Sequence, residues 1–185
     1  MNNLLTSPLG IDSEIQSIQT DLYNLLIARW VDDLDAYGRV YKNKDENDDT
    51  VFPQYVNKDK SKTDVYYNDD FAGTFFFIDS DESTTEDGFL YVSVVKCVFM
   101  VDLRKILSVP VDDSVDRADS EAQRDVVEFL RELSPGKFSI VEVQKGISNI
   151  FRGFNQVKIK DLDIQPFHCF SVNIKLSYNI NDKCE

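Results

Sequence analysis

The clearest pattern in the sequence is Phe170-Ser171-Val172-Asn173-Ile174-Lys175-Leu176-Ser177-Tyr178-Asn179-Ile180. Every even-numbered residue in this stretch is apolar and every odd-numbered residue is polar. A period of two over such a length predicts a β-strand with one face in a hydrophobic core and the other in water. The rest of the chain must then supply a cover for the apolar face.

Two other segments have the helical spacing that suits such a cover. Within residues 11–30, apolar side chains recur at steps of three and four, and residues 119–133 carry a second stripe of the same kind. We therefore expect an α+β fold in which a mostly antiparallel sheet is flanked by two helices, at about 11–30 and 119–133. The length of 185 residues favours one domain, residues 1–185.

A second strong strand is predicted over Phe89 to Leu103, where both alternating faces are apolar. This composition is typical of a central strand that is covered on both sides. One cover is expected to be a helix, and the other a second sheet or a neighbouring subunit. Shorter strands are predicted at 51–56, 138–143 and 157–164, and long polar insertions at about 42–64 and 79–88.

Composition and charge exclude several functional classes. The formal net charge of −13 disfavours nucleic-acid binding through a general basic face, and binding to anionic lipid. No segment has the length of apolar sequence that a membrane helix needs, and the first residues lack the pattern of a signal peptide. The three cysteines Cys97, Cys169 and Cys184 are too few and too scattered for a disulfide scaffold.

No combination of residues predicts catalysis, a metal or a cofactor. His168 is the only histidine, and on a strand it points away from its neighbour Cys169, so the two cannot act as a base and nucleophile. The acidic runs Asp79-x-Asp81-x-Ser83 and Asp33-x-Asp35-x-Tyr37-Gly38 each miss a required feature of a calcium loop, which leaves weak binding of calcium at the surface as the alternative to plain solvated loops. Phosphate-binding glycine motifs are absent from the sequence. An enzyme would need an unrecognised carboxylate pair, for which Asp69, Asp70 and Asp79 are the candidates.

Apolar runs outside the predicted helices indicate an association surface. The candidate interface residues are Phe75, Phe76, Phe77, Ile147, Ile150, Phe151 and Phe154. Exposed apolar patches usually mark sites of association, and symmetric homo-oligomers are common. The alternative is that the two helices bury all of these side chains within one subunit.

The order of elements resembles the tail terminator and tail-completion proteins of bacteriophages and prophages. The resemblance rests on residues 11–30, Tyr91 to Leu103, Asp125 to Leu130 and Gln165 to Phe170 with the strand that follows. It implies a non-enzymatic structural protein that forms a ring, often hexameric, at the end of the tail tube and contacts other tail or connector proteins. It also implies assembly in the bacterial cytoplasm and a place in the virion. The alternative function is a small monomeric module that binds a ligand or protein.

Overall fold

A computed structural model describes residues 1–30, 34–44, 50–57, 59–66, 70–85, 90–106, 118–159 and 161–179, except for the side chains of residues 81 and 82. The elements are α1 (Ile11–Arg29), β1 (Leu34–Lys44), β2 (Val51–Val56), β3 (Lys62–Asp64), β4 (Gly73–Thr85), β5 (Leu90–Asp102), α2 (Leu103–Ile106), α3 (Ala118–Leu133), β6 (Phe138–Lys145), α4 (Ile147–Ile150) and β7 (Phe167–Asn179). The chain thus has the expected α+β fold, with two one-turn helices, α2 and α4, in addition to the two expected helices.

The strands form one sheet in the order β3-β2-β1-β4-β5-β7-β6. Every pair is antiparallel except β1 with β4, which run parallel. The two strands with the strongest sequence patterns, β5 and β7, are neighbours in register from Leu90↔Asn179 to Asp102↔Phe167. The strand with the strictest alternation, β7, therefore pairs with the two-sided apolar strand β5 and is the last but one in the sheet.

Helices α1 and α3 cover one face of the sheet. Their apolar stripes, including Ile15, Leu22 and Leu130, pack with the side chains of β4, β5 and β7 that point to this side, among them Phe75, Phe99 and Phe170. The rings of Phe99 and Phe170 stack with centroids 5.0 Å apart. This layer confirms the expectation that a helix covers one face of β5.

The opposite face is covered by α4 and the turns around it, a layer that we call the turn layer (residues 146–159 and 161–164). Phe76, Val98 and Met100 of the sheet pack here with Ile150 and Phe151 of the turn layer. The second cover of β5 thus comes from the same chain, whereas a second sheet or another subunit was expected. The turn layer also contains turns where a strand was expected at 157–164, so that prediction was wrong.

Two further expectations about polar sequence need correction. The predicted insertions at 42–64 and 79–88 belong largely to the sheet, because β1 extends to Lys44, β2 and β3 lie within the first insertion, and β4 extends to Thr85. Residues 45–49, 58 and 86–88 of these insertions lie outside the described part. The polar face of β7 was expected to lie in water, but Ser171 and Asn173 on this face are buried beneath the turn layer. Only its carboxyl end, from Lys175, has exposed polar side chains.

Candidate assembly interface

The seven residues expected at an interface are all buried within the subunit. Phe75 and Phe77 lie on the helix-covered face, and Phe76 lies on the other face because successive side chains of a strand alternate. The other four, Ile147, Ile150, Phe151 and Phe154, belong to the turn layer and are at most 8% exposed. The premise that these residues form an exposed apolar surface is therefore corrected: the two layers hide both faces of the sheet.

One edge of the sheet, in contrast, carries exposed apolar side chains. Strand β6 ends the sheet, and no strand in the described part of the chain pairs with its outer side. A bulge between Ile140 and Glu142 leaves Val141 without a partner on β7. Val141 is 54% exposed and Val143 is 41% exposed. The unpaired backbone of an edge strand is a ready site for pairing with another chain.

The apolar surface of this edge continues into a groove between β6 and α3. The groove has a volume of about 490 Å³ and is lined by Val127 and Arg131 of α3 and by Phe138 to Val143 of β6. Its floor is formed by the half-buried Phe138 and Ile140. We call this groove, together with the outer side of β6, the β6 edge.

Val157, which is 73% exposed, lies at the opposite edge of the sheet. Its neighbours fix that position, because the Asn155 amide donates to the Val51 carbonyl of β2 at 2.7 Å, and Lys158 Nζ lies 3.3 Å from Asp64 Oδ2 of β3. The Lys158 ammonium also lies 4.6 Å from the centre of the Phe52 ring. We call the outer side of β3, together with Val157, the β3 edge.

The two edges differ in charge. The charged residues of β6 are Glu142 and Lys145. The terminal Lys145 pairs with Asp119 at 3.5 Å, whereas Glu142 is the exposed acid of the strand. Glu142 is held by hydrogen bonds from Gln144 Nε2 (2.6 Å) and Asn173 Nδ2 (2.9 Å) to its Oε1 atom. On the β3 edge, Lys62 is exposed. Each edge also carries a residue of the other sign, because Arg131 lines the groove of the β6 edge and Asp64 of β3 pairs with Lys158 at 3.3 Å. The difference in charge between the edges therefore rests on Glu142 and Lys62.

His168 lies where the helix layer and the turn layer meet. Its Nδ1 atom is 3.4 Å from Asp163 Oδ1 in the turn layer, and its Nε2 atom is 2.7 Å from Gln123 Nε2 on α3. Burial lowers the pKa of His168, although Asp163 and Asp119 act in the opposite direction. Since Phe170 and Cys169 lie in different layers, the geometry agrees with the expectation that His168 points away from Cys169. These contacts give the imidazole a packing role.

Other candidates for chemistry have structural partners. Burial raises the pKa values of the Cys97 and Cys169 thiols, which disfavours the reactive thiolate. Asp79 accepts a hydrogen bond from Ser93 Oγ at 2.6 Å and lies 3.5 Å from Arg39 Nη1. Asp70 is exposed, and Asp69 lies outside the described part.

Of the acidic runs considered as calcium loops, residues 79–83 lie in β4 and residues 35–38 lie in β1. Asp35 in β1 accepts hydrogen bonds from Tyr37 and Asn3. Across the described ranges, no three His, Cys, Asp or Glu side chains cluster as a metal site would require. Residues 33 and 184, considered in the sequence, fall outside those ranges.

Comparison with known proteins gives no assignment. No family model matches the chain, and no curated protein matches it significantly. None of the helices described here is both long enough and apolar enough to cross a membrane.

Proposed function

We propose that the protein is a non-enzymatic structural subunit that assembles with copies of itself into a ring, as the tail terminators that it resembles do at the end of the tail tube. The observation that carries the proposal is the exposure of Val141 and Val143 at one edge of the sheet and Val157 at the other. Both faces of the same sheet are covered, so the edges are where a second subunit can bind.

Ring formation places a specific demand on the subunit. A closed ring is built from heterologous contacts, in which one surface of each subunit binds a different surface of the next. A subunit with a single association surface forms only a two-fold dimer. The β6 edge and the β3 edge are two different surfaces at opposite ends of one sheet, which suits a head-to-tail contact.

The alternative function, a monomeric binding module, has one feature in its favour. The groove between α3 and β6, at about 490 Å³, falls within the size range of small-molecule sites. However, its outer wall is the unpaired side of a strand, which suits an extended chain better than a small ligand. We therefore favour a protein partner at this site.

Electron microscopy of the negatively stained, purified protein tests the proposal. The expected images are uniform annular particles with a central opening. Particles of the size of a single chain, at the highest protein concentration that stays in solution, would contradict the proposal. Labelling of tail ends by an antibody against the protein in a phage preparation would locate the ring on the particle.

A further inference from the structure

The geometry points to a particular contact between subunits: the β6 edge of one copy binds the β3 edge of the next. This inference rests on the proposed self-assembly and names the surfaces that carry it. The occupant of the groove between α3 and β6 is thus a second copy of this chain. It is bound through its opposite edge.

The first support is the position of the exposed apolar side chains. Val141 and Val143 lie on the strand that ends the sheet at one side. Val157 lies beside the strands that end it at the other side, as the contacts of Lys158 with Phe52 and Asp64 establish. A head-to-tail contact between these edges would remove all three valines from water. Burying most of one valine side chain is worth about 1.5 kcal/mol or more.

The second support is charge. The chain has a formal net charge of −13, so two copies repel each other unless their contact surfaces differ locally in charge. Glu142 is the exposed acid on β6, and Lys62 is an exposed base on β3. Pairing unlike edges brings these opposite charges together, whereas pairing two β6 edges would place both copies of Glu142 in one interface.

The third support is the character of the two edge strands. β3 has only three residues and carries a lysine, two devices by which sheet edges avoid indiscriminate pairing. Its exposed Lys62 favours a partner that supplies an acid, since Asp64 of the same strand pairs with Lys158 at 3.3 Å. β6 has eight residues, exposed valines and Glu142, and is therefore a complementary partner.

Two variants with blocked edges test the inference. The first, Val141→Glu with Val143→Glu, places charge on the β6 edge. The second, Val157→Glu with Lys62→Glu, does the same on the β3 edge. Leu9→Glu is the matched control, because Leu9 is 46% exposed and precedes α1, so that it belongs to neither edge as defined above. All changed side chains are exposed, and circular dichroism verifies that each variant folds.

Sedimentation velocity gives the mass of each protein alone and in mixtures. We expect the wild type and the Leu9→Glu control to assemble and each blocked variant to remain a monomer. An equimolar mixture of the two blocked variants should form a dimer and nothing larger. In that mixture each protein retains one intact edge, and the intact edges are the two that bind each other.

The other outcomes overturn the inference in distinguishable ways. If the wild type assembles but the β6 variant does too, the β6 edge is not the contact, while the proposed ring survives. If the β3 variant alone forms a dimer, two β6 edges pair about a two-fold axis. If the mixture stays monomeric while the wild type assembles, the two edges do not bind each other. A monomeric wild type would contradict the proposed function as well.

Discussion

The faces of the sheet are covered by other parts of the chain, whereas its edges are exposed to solvent. Helices α1 and α3 cover one face, and the turn layer covers the other, so that Phe75, Phe76 and Phe99 are at most 1% exposed. The edges, in contrast, leave Val141 and Val157 more than half exposed. The apolar runs of the sequence thus pack inside the subunit, whereas the side chains that we propose for association are a few valines at the margins of the sheet.

The largest loss of stability is expected when a large buried side chain is removed from one of the covered faces of the sheet. Phe151 is fully buried in the turn layer and contacts the rings of Phe76, Tyr66 and Phe154. Phe151→Ala should lower the free energy of unfolding by about 3–5 kcal/mol, because it removes a large side chain and leaves a cavity. Urea denaturation measures this loss.

The matching change on the helix-covered face is Phe99→Ala, since Phe99 is also fully buried and stacks on Phe75 and Phe170. If both faces belong to one cooperative core, the two losses should be similar. A loss below about 1 kcal/mol for Phe151→Ala, far under the usual cost of such a truncation, would show that the turn layer contributes little to the fold.

A smaller effect is expected at the contact between the two helices. Asp125 of α3 is 4% exposed and accepts hydrogen bonds from Trp30 Nε1 at 3.1 Å and Arg29 Nη2 at 3.4 Å. Asp125→Ala should cost about 1–3 kcal/mol, because it leaves the buried indole N–H without an acceptor. Asp125→Asn retains an acceptor oxygen and is the matched control. Equal thermal unfolding of the alanine variant and the wild type would remove this contact from the account.

The sequence predicted the parts of the fold with a regular period. Helix α1 and strand β7 could be predicted because their apolar residues recur at fixed steps, and strand β5 because apolar residues occupy both of its alternating faces. The turn layer was not predicted, although Ile147, Ile150, Phe151 and Phe154 stand at i, i+3, i+4 and i+7, which is a helical spacing. Gly146 and Gly153 bound this short stretch, which is typical of turns, and only the single helical turn α4 forms there. The four apolar residues were consequently interpreted as surface.

Strand β1 was not predicted at all, and the length of β4 was missed. Their ends carry polar side chains that are typical of loops, and pairing with neighbouring strands holds them extended. At the candidate site, the alternation of residues 138–143 predicted β6 but not its place at the edge. Strand order depends on contacts between distant residues, which local sequence does not encode.

His168 contacts both the turn layer, through Asp163, and helix α3, through Gln123. Its titration should therefore make the stability of the fold depend on pH. Burial lowers its pKa in the folded protein, so the unfolded chain binds a proton at a higher pH than the folded one does. The contribution of His168 to the free energy of unfolding should therefore be complete above the ordinary histidine pKa near 6.5, and it should decrease as the pH falls below that value. The charged groups that face it are Asp163, Asp119 and Lys145.

The corresponding experiment compares the free energy of unfolding of the wild type and His168→Gln between neutral and mildly acidic pH. The variant should lose less stability on acidification, since glutamine does not titrate and can still contact Gln123. Parallel pH profiles for the two proteins would show that His168 does not couple stability to pH.

The smallest effect is expected from an ion pair near the start of β6. Lys137 Nζ lies 3.2 Å from Asp21 Oδ2, and both side chains are 43% exposed. Because exposed pairs gain little over solvation by water, Lys137→Ala should change the free energy of unfolding by less than about 1 kcal/mol. Chemical denaturation at low and high salt provides the measurement. A larger loss of free energy of unfolding would show that the sheet near the start of β6 stabilises the subunit as its covered faces do.

The mass of the wild-type protein in solution decides whether the edges of the sheet join several subunits while its faces stabilise each one. Light scattering should be recorded over a concentration series at low and physiological salt. The account predicts a mass that rises with concentration and levels off at a fixed whole multiple of the single chain, as a closed ring requires. The mass of a single chain at every concentration and at both salt levels would contradict it.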